Sequence, residues 1–308
     1  MKIALVTGAD GFLGHCLCKH LIQRGYFVYG IGISENKIKD IDSVNFLFIN
    51  AYFEDYKSLK NRITKKIDYF FHFAWNGVFG NAFKDYALQL SNAKYACDAV
   101  LIAKDLGCKK FILASTINTL ETLDYFGKFD IEPRYTNIYA MSKLSAEMIG
   151  KTIAYQNEIE FNCGLISMVY GPSNYSLMVP NVVMLNLLQN KASNLIDYDT
   201  SYDLIYVEDV ADAFISIAEK GINLKTYYVG HPSLQKFGDI FSNIKSIIND
   251  NGILNFGVFP NKTLINYNLI DLNSLYKDTG FLPSYDFRKS IRETAKWLQD
   301  NISCFANK

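Results

Sequence analysis

Two residues that could transfer a proton, Tyr139 and Lys143, lie four positions apart in the segment YAMSK. The surrounding Ala, Met, Leu and Glu residues favour a helix, so the phenol and the ammonium are predicted to share one helical face. An ammonium close to a phenol favours the phenolate, and the lowered pKa makes the tyrosine a usable acid or base near neutral pH. Tyr56 and Lys60 have the same spacing, and a solvated lysine beside an exposed aromatic is the alternative for either pair. Position in the fold must therefore distinguish the two pairs.

The overall composition excludes several classes of function. The 308 residues include 31 basic and 31 acidic side chains, so no net field attracts nucleic acid or an anionic membrane, and neither is expected as a partner. No apolar run reaches the length of a membrane span, and the first residues lack the cleavage site of a signal peptide. The six cysteines form no CxxC pair and the four histidines show no ligand spacing. We expect reduced thiols, no metal site and a cytoplasmic location.

Short apolar segments alternate with helical periodicity along the first half of the chain. This alternation predicts an α/β fold, a doubly wound parallel sheet of the Rossmann type with a smaller C-terminal substrate lobe. We expect residues 1–166 to form a dinucleotide-binding domain to which 203–221 return, and 167–308 to form mainly the substrate-binding lobe. A loop is expected between the fifth strand and the Tyr139 helix. The six strands are predicted at Lys2–Thr7, Tyr26–Gly32, Val44–Asn50, Ile67–Ala74, Lys109–Thr116 and Ile159–Gly171.

Three glycines, Gly8, Gly11 and Gly14, follow the first strand and open the first helix. Such a loop lets backbone amides approach a pyrophosphate, and the helix N-terminus adds partial positive charge. Phe12 and Leu13 belong to the same predicted cofactor-binding segment. A plain tight turn is the alternative, but the position of the loop between a strand and a helix favours a dinucleotide site.

The end of the second strand is the place where an acidic side chain holds the adenosine ribose hydroxyls of NAD. The sequence there is GIGISENK, with Gly32 at the expected acidic position. Without a carboxylate, nothing repels a 2′-phosphate, and Ser34 and Lys37 could hold one. The predicted cofactor is therefore NADP, with NAD as the alternative.

The two tyrosine–lysine pairs differ in their position along the predicted sheet. The helix with Tyr139 and Lys143 follows the fifth strand, which ends in Ser115 and Thr116, whereas Tyr56 and Lys60 lie between strands three and four. Ligands gather at the carboxyl ends of strands in a doubly wound sheet. The glycine loop, the two hydroxyls and the Tyr139 pair are expected to converge there.

The motifs TGADGFLG, FHFAW, Ser115-Thr116, Tyr139-x-x-x-Lys143, VYGP and YDLIYVEDVADAF occur in that order along nearly the whole chain. In this order they resemble the extended short-chain dehydrogenase/reductase family, in its nucleotide-sugar branch. The resemblance implies a catalytic set of Thr116, Tyr139 and Lys143, and a homodimer formed by two long helices. It also implies cofactor contacts from Phe73, Ala74, Asn92 and Ser115. The implied contacts to a nucleotide-sugar substrate are Trp75, Asn76, Val78, Thr116, Asn118, Met168, Asn181 and Tyr202.

The residues after Thr116 narrow the reaction that the resemblance implies. Ile117 and Asn118 stand where dehydratases of the family carry an Asp-Glu pair, and where epimerase-reductases carry a Cys. The expected function is thus NAD(P)H-dependent reduction of a 4-keto-6-deoxy nucleotide sugar, with hydride from the nicotinamide and the proton from Tyr139. A 4-epimerase with retained NAD uses the same three groups and remains an alternative. A dinucleotide-binding sensor without catalysis is a further alternative of a different class.

Overall fold

The computed structural model describes residues 1–125, 132, 134, 136–259 and 265–305. The chain forms two compact units. The first comprises Met1–Ile166, Val210–Val229 and Ile265–Phe281, and the second comprises Ser167–Asp209, Gly230–Leu264 and Leu282–Lys308.

The described strands, numbered along the chain, fall into one large sheet and three short ladders. They are β1 (Ile3–Thr7), β2 (Phe27–Gly32), β3 (Phe46–Asn50), β4 (Tyr69–His72), β5 (Lys110–Thr116), β6 (Glu160–Ile166), β7 (Met168–Tyr170), β8 (Ser193–Asn194), β9 (Ser201–Tyr202), β10 (Leu204–Tyr206), β11 (Thr226–Val229), β12 (Gln235–Lys236) and β13 (Leu254–Asn255).

The described α-helices are α1 (Phe12–Gln23), α2 (Leu59–Arg62), α3 (Tyr86–Asp105), α4 (Asn118–Tyr125), α5 (Thr136–Gln156), α6 (Val179–Leu188), α7 (Val207–Lys220), α8 (Phe237–Ile248), α9 (Ser274–Thr279) and α10 (Phe287–Asp300). Short 3-10 helices cover Glu35–Ile38, Phe53–Ser58, Gly80–Lys84, Tyr267–Leu269 and Ile302–Phe305.

The first unit is built on a seven-stranded sheet in the order β11-β6-β5-β4-β1-β2-β3, in which every pairing is parallel. The chain starts near the middle at β1 and winds outward in both directions, so the predicted doubly wound α/β fold is confirmed. Both faces are covered, as near-continuous apolar strands require. Three aromatic rings from neighbouring strands pack in the core: Phe111 of β5 contacts Phe70 of β4 and Phe161 of β6.

The strand register brings the loops that follow four strands to one edge of this sheet. Thr7 at the end of β1 pairs with Ile31 of β2 on one side and with His72 of β4 on the other. His72 in turn pairs with Leu113 of β5. The loops that follow β1, β2, β4 and β5 therefore leave the sheet side by side, which is the edge where ligands bind in such folds. The long helices α3 and α5 pack against each other beside this sheet.

The structure differs from the prediction in three places. The segment after β5, expected to be a loop, begins with the helix α4, which is too short for sequence periodicity to identify. The predicted sixth strand breaks at Ser167 into β6, in the large sheet, and β7, which pairs with β10 in the second unit.

The third difference concerns the segments that return to the first unit. Residues 203–209 belong to the second unit, whereas 222–229 and 265–281 belong to the first. The reason is that β11 extends the large sheet by pairing with β6. Asp278 then fixes the later segment to this edge, because it accepts hydrogen bonds from Lys225 Nζ at 2.5 Å and from the Tyr227 hydroxyl at 2.8 Å.

The second unit contains three two-stranded ladders, β7 with β10, β8 with β13 and β9 with β12, and the helices α6, α8 and α10. The Phe237 and Phe241 rings of α8 lie 4.4 Å apart, and Tyr202 of β9 packs edge-on against Phe237. None of the helices in the described part of the chain is long and apolar enough to cross a membrane.

Candidate active site

Tyr139 lies in the first turn of α5, at the edge of the sheet where β5 ends. Its side chain forms a hydrogen bond with Thr116, and its ring meets Phe83 edge-on at 4.7 Å and Trp75 edge-on at 6.2 Å. Because the ring is buried, desolvation raises the pKa of Tyr139 well above its ordinary value, and the Thr116 hydrogen bond opposes this only partly. The phenol is therefore protonated at neutral pH.

Lys143 occupies the next turn of α5 and is also buried. Its ammonium donates a hydrogen bond to the Ala114 carbonyl oxygen at 2.9 Å and lies 3.9 Å from the centre of the Trp75 ring. The centre of the Tyr139 ring is 6.0 Å away. Burial lowers the pKa of Lys143 to about 7. The expectation that this ammonium lowers the pKa of Tyr139 is wrong for this arrangement, because desolvation dominates and the ammonium faces Ala114 and Trp75.

The hydroxyls that end β5 differ in their contacts. Thr116 Oγ1 accepts a hydrogen bond from the Asn118 amide at 3.3 Å, so the first turn of α4 fixes this side chain beside Tyr139. Ser115 Oγ is buried, and within the described part of the chain it has no hydrogen-bond partner. A buried hydroxyl without a protein partner is expected where a polar ligand forms the missing hydrogen bond.

A buried carboxylate, Glu121, lies on α4, one turn beyond Asn118. It is engaged by the Arg134 guanidinium on both carboxylate oxygens and by the Tyr125 hydroxyl at 2.9 Å. These contacts fix the carboxylate as a buried ion pair. Glu121 is therefore not placed to act as the additional acid or base that dehydration requires.

The glycine loop after β1 is packed too tightly to admit side chains. A β-carbon at Gly8, whose φ is +70°, would lie 2.9 Å from the Ala74 amide, and one at Gly14 would overlap the Gly8 carbonyl oxygen. Gly11 precedes α1 as its N-cap and, having no side chain, cannot cap the first-turn amides that begin at Phe12 and Leu13. This loop fits a dinucleotide pyrophosphate, because no side chain keeps an anionic group from the backbone amides of the loop and of the first turn of α1.

A carboxylate does stand at the end of β2, although it comes from the glycine loop. Asp10 Oδ2 accepts hydrogen bonds from the amides of Ile33 at 3.1 Å and Ser34 at 3.0 Å. The NADP prediction assumed that no carboxylate lies near the end of β2, whereas the Asp10 carboxylate does lie there. Ser34 precedes the 3-10 helix Glu35–Ile38, in which Lys37 is exposed.

The loop after β4 carries the other predicted contacts near Tyr139. The Ala74 amide donates to Thr7 Oγ1 at 3.2 Å, and Trp75 Nε1 donates to Gln89 Oε1 at 2.8 Å. Phe73 packs edge-on against Phe214 at 4.6 Å, and Val78 is half-buried in the same loop.

Asn92, predicted to contact the cofactor, has a different partner. Its Oδ1 accepts from the Asn76 amide at 3.0 Å, and its Nδ2 donates to the Asn76 carbonyl at 2.8 Å. The buried carboxamide thus fastens the loop after β4 to α3. It supports the site by fixing the Asn76 backbone.

Three predicted substrate residues belong to the second unit. Met168 lies in β7, and Tyr202 lies in β9 against Phe237. Asn181 is buried in α6, where its Nδ2 donates to the carbonyl oxygens of Asn174 and Ser176 at 2.7 and 2.9 Å. The roles of these three residues in substrate binding stay predictions.

The competing pair Tyr56 and Lys60 has no comparable arrangement. Tyr56 is buried and bonds to Thr7, whereas Lys60 is exposed on α2. Burial raises the pKa of Tyr56. The shared spacing therefore reflects chance.

Sequence reasoning missed Asp10, Phe83 and Gln89. The signal for Asp10 is the pair Gly30 and Gly32, two bare positions on one face of β2 next to the glycine loop. Phe83 lies in the 3-10 helix Gly80–Lys84, which has no periodicity from which its position over Tyr139 could be predicted.

Residues 4–230 match the model of the NAD dependent epimerase/dehydratase family. A trifunctional UDP-glucose 4,6-dehydratase/UDP-4-keto-6-deoxy-D-glucose 3,5-epimerase/UDP-4-keto-L-rhamnose-reductase of Arabidopsis thaliana is 22% identical over 97% of this chain, which spans 47% of that protein. The chain thus has about half the length of this relative. A dTDP-D-glucose 4,6-dehydratase of Homo sapiens is 24% identical over 99% of this chain and 92% of its own length.

Among solved structures, the Bordetella bronchiseptica enzyme WbmF in complex with NADH has a TM-score of 0.76 and 20% sequence identity. The match covers 99% of this chain and 94% of that one, and at this identity it shows a shared fold. The family match covers most of the chain and agrees with the order of motifs from TGADGFLG to VYGP. The resemblance inferred from the motifs is confirmed: the chain belongs to the NAD dependent epimerase/dehydratase family, within the extended short-chain dehydrogenases/reductases.

Proposed function

We propose that this protein is an NAD(P)H-dependent reductase of a 4-keto-6-deoxy nucleotide sugar. The observation that carries the proposal is the buried Tyr139 phenol, a proton donor that forms a hydrogen bond with the Thr116 hydroxyl at the end of β5. Ketone reduction requires a protonated acid, whereas a reaction that begins by oxidising an alcohol requires the phenolate. Nucleotide sugars are the substrates named for the relatives from Arabidopsis and human.

The chain's own residues supply binding, orientation and the proton. The adjacent Thr116 and Tyr139 hydroxyls would donate to the carbonyl oxygen of the ketone, which would hold the ketone and polarise it. Tyr139 would then give its proton to the alkoxide as it forms. The Lys143 ammonium, which lies 6.0 Å from the centre of the Tyr139 ring, would stabilise the phenolate left behind only weakly. Phe83 and Trp75 exclude water from the phenol.

The cofactor would be held by the glycine loop, with its pyrophosphate at the backbone of Gly8 and Gly11 and the first turn of α1. When bound, the nicotinamide supplies the hydride. Ser115, whose buried hydroxyl lacks a partner in the described part of the chain, is the polar group available to it at the end of β5.

The structure offers little to support dehydration, although both curated relatives named above include that activity. Elimination of water requires an acid and a base in addition to Tyr139. Ile117 is apolar, the Asn118 side chain does not titrate, and the Glu121 carboxylate is committed to Arg134. Reduction needs none of these groups.

A 4-epimerase is the second candidate, and Asp10 is the observation that favours it. A carboxylate at the end of β2 suits NAD, the cofactor that an epimerase retains through its cycle. The same hydroxyls and ammonium would serve both half-reactions.

The reaction is tested by following nicotinamide absorbance with UDP- and dTDP-4-keto-6-deoxyglucose. We expect oxidation of the reduced cofactor, and Tyr139→Phe should lower turnover about 10²–10⁴-fold while cofactor affinity is retained. Tyr56→Phe is the matched control, because it removes a buried hydroxyl from the pair of identical spacing, and it should keep turnover. Constant absorbance with these ketones, together with interconversion of the two C4 hydroxyl epimers of a UDP- or dTDP-hexose, would instead identify an epimerase. Turnover of neither the ketones nor the hexoses would favour the sensor.

The partner expected for the chain is a second copy. Exposed apolar side chains lie along the paired helices α3 and α5: Leu90, Leu101, Met141, Met148, Ile149 and Tyr155. Such a surface suits a homodimer in which both helices pack against their symmetry mates. Sedimentation equilibrium should give a dimer for the wild-type protein and a monomer for Ile149→Glu. Ile253→Glu, at an equally exposed apolar residue elsewhere, should remain a dimer.

A further inference from the structure

The carboxylate of Asp10 occupies the space that a side chain at Gly32 would fill. A β-carbon at Gly32 would overlap Asp10 Oδ1 and would lie 2.7 Å from Asp10 Cγ. The backbone of Gly32 does not adopt the left-handed conformation that excludes side chains, so the glycine is explained by the space that Asp10 takes. There is thus space for a side chain at position 10 or at position 32 but not at both, and in this chain the carboxylate comes from position 10 in the glycine loop.

Gly30 contributes to the same fit. A β-carbon there would lie 3.0 Å from the β-carbon of Ala9, the residue before Asp10, and 2.7 Å from the Phe46 ring. Gly30 and Gly32 point to the same side of β2, since side chains alternate along a strand. Two bare positions on that side let the Ala9-Asp10 segment lie against the strand. The sequence GIG and the Asp of the glycine loop therefore form one structural unit.

Asp10 is held firmly and still has an acceptor to offer. Oδ2 receives both hydrogen bonds, from the amides of Ile33 and Ser34, so Oδ1 remains as an acceptor. Asp10 is half-buried, and in the described ranges of the chain it forms no ion pair that would neutralise it. A half-buried carboxylate fixed by two backbone amides thus lies between the glycine loop and the end of β2.

We propose that Asp10 binds the vicinal hydroxyls of the adenosine ribose and selects NAD(H) over NADP(H). The end of β2 is where this fold places an acidic side chain for that purpose, and a carboxylate there repels a 2′-phosphate. The carboxylate that selects the cofactor thus comes from Asp10 in the glycine loop, whereas the residue at the end of β2 itself is Gly32. The proposal reverses the NADP preference that Ser34 and Lys37 suggested. It rests on the dinucleotide site of the proposed function but not on the sugar substrate.

The test is fluorescence titration of the intact protein with NADH and with NADPH, without any sugar. Wild-type protein should bind NADH about tenfold or more tightly than NADPH, since a hydrogen bond to a charged group is worth about 1.5–3 kcal/mol. Asp10→Asn keeps an oxygen for the two amides and removes the charge. It should weaken NADH binding about tenfold and leave NADPH binding unchanged or tighter, so that the preference disappears.

A second variant moves the carboxylate instead of removing it. In the double substitution Asp10→Ser with Gly32→Asp, the acidic group stands on the strand and the smaller serine vacates its space. NADH preference should return in this variant, with thermal unfolding as the check that it is folded.

Three results would overturn the proposal: tighter binding of NADPH by the wild-type protein, failure to bind either cofactor, or an equal loss of both affinities in Asp10→Asn. The last result would make Asp10 a support of the loop only. Absence of turnover with every nucleotide sugar would contradict the proposed reaction while leaving the two affinities, and thus this proposal, intact.

Discussion

The Lys143 ammonium lies 3.9 Å from the centre of the Trp75 indole and 2.9 Å from the Ala114 carbonyl oxygen. A buried ammonium with one carbonyl and one aromatic face is less well solvated than in water, which is why its pKa falls to about 7. Trp75 is itself fixed by the hydrogen bond from its Nε1 to Gln89. The indole therefore positions the Lys143 amine.

The interaction between Trp75 and Lys143 can be measured by a double-mutant cycle. With Trp75→Leu and Lys143→Met, unfolding by urea should give a coupling free energy of about 1–2 kcal/mol, as expected for a desolvated cation on an aromatic face. The same cycle with Lys60→Met, at an exposed lysine of α2, should be additive. Additivity in the Trp75–Lys143 cycle would show that the indole does not stabilise the ammonium.

Phe83 keeps water from the Tyr139 phenol. In Phe83→Ala, solvent should reach the ring and the pKa of Tyr139 should fall toward its ordinary value, because desolvation is the main cause of its rise. Phe83→Leu, which keeps an apolar cover, should change the pKa less. Absorbance titration of tyrosinate, with the Tyr139→Phe version of each variant subtracted, measures the shift. An unchanged pKa in Phe83→Ala would mean that other side chains seal the phenol.

His72 should make stability depend on pH. Burial lowers the pKa of this histidine to about 3 in the folded chain, whereas its pKa in the unfolded chain is about 6.5. At pH values between these two, the unfolded chain binds a proton at His72 and the folded chain does not. The free energy of unfolding should therefore fall as the pH is lowered, by about 2 kcal/mol at pH ~5.

The variant His72→Asn separates this effect from other titrating groups. Its free energy of unfolding, measured by urea at several pH values, should fall less steeply than that of the wild-type protein below pH ~6.5. The absolute stability of the variant is not the readout, because the substitution also removes the hydrogen bond between His72 Nδ1 and Thr7 Oγ1. Equal slopes would contradict a neutral buried imidazole.

The pair of Glu121 and Arg134 should be costly to break. Arg134→Met leaves the buried Glu121 carboxylate without its guanidinium and should lower the free energy of unfolding by about 3–5 kcal/mol. The double variant with Glu121→Gln should recover part of this loss, since no buried charge remains. Urea unfolding measures both variants, and a loss below about 1 kcal/mol in Arg134→Met would indicate that solvent or Tyr125 replaces the guanidinium.

The sequence predicts the architecture well because strand and helix periodicities depend on local residues. It also predicts that Tyr139 lies near Thr116, since Thr116 ends the fifth strand and Tyr139 belongs to a helix that follows it. It could not predict that the Asp10 side chain reaches the end of β2. That contact depends on β1 and β2 being neighbours in the sheet, and on the space left by Gly30 and Gly32. The sequence also could not predict that the pKa of Tyr139 is raised. Phe83 packs on the Tyr139 ring from a short 3-10 helix, which leaves no periodic pattern in the sequence.

The two hydrogen bonds between Asn92 and the Asn76 backbone have a consequence for engineering. An amide side chain both donates and accepts, so an aspartate or a leucine of the same size could satisfy at most one half of this contact. A loop transplanted from another family member to this position would need its matching helix residue transferred with it. Grafts at this site should therefore be designed as loop and α3 together.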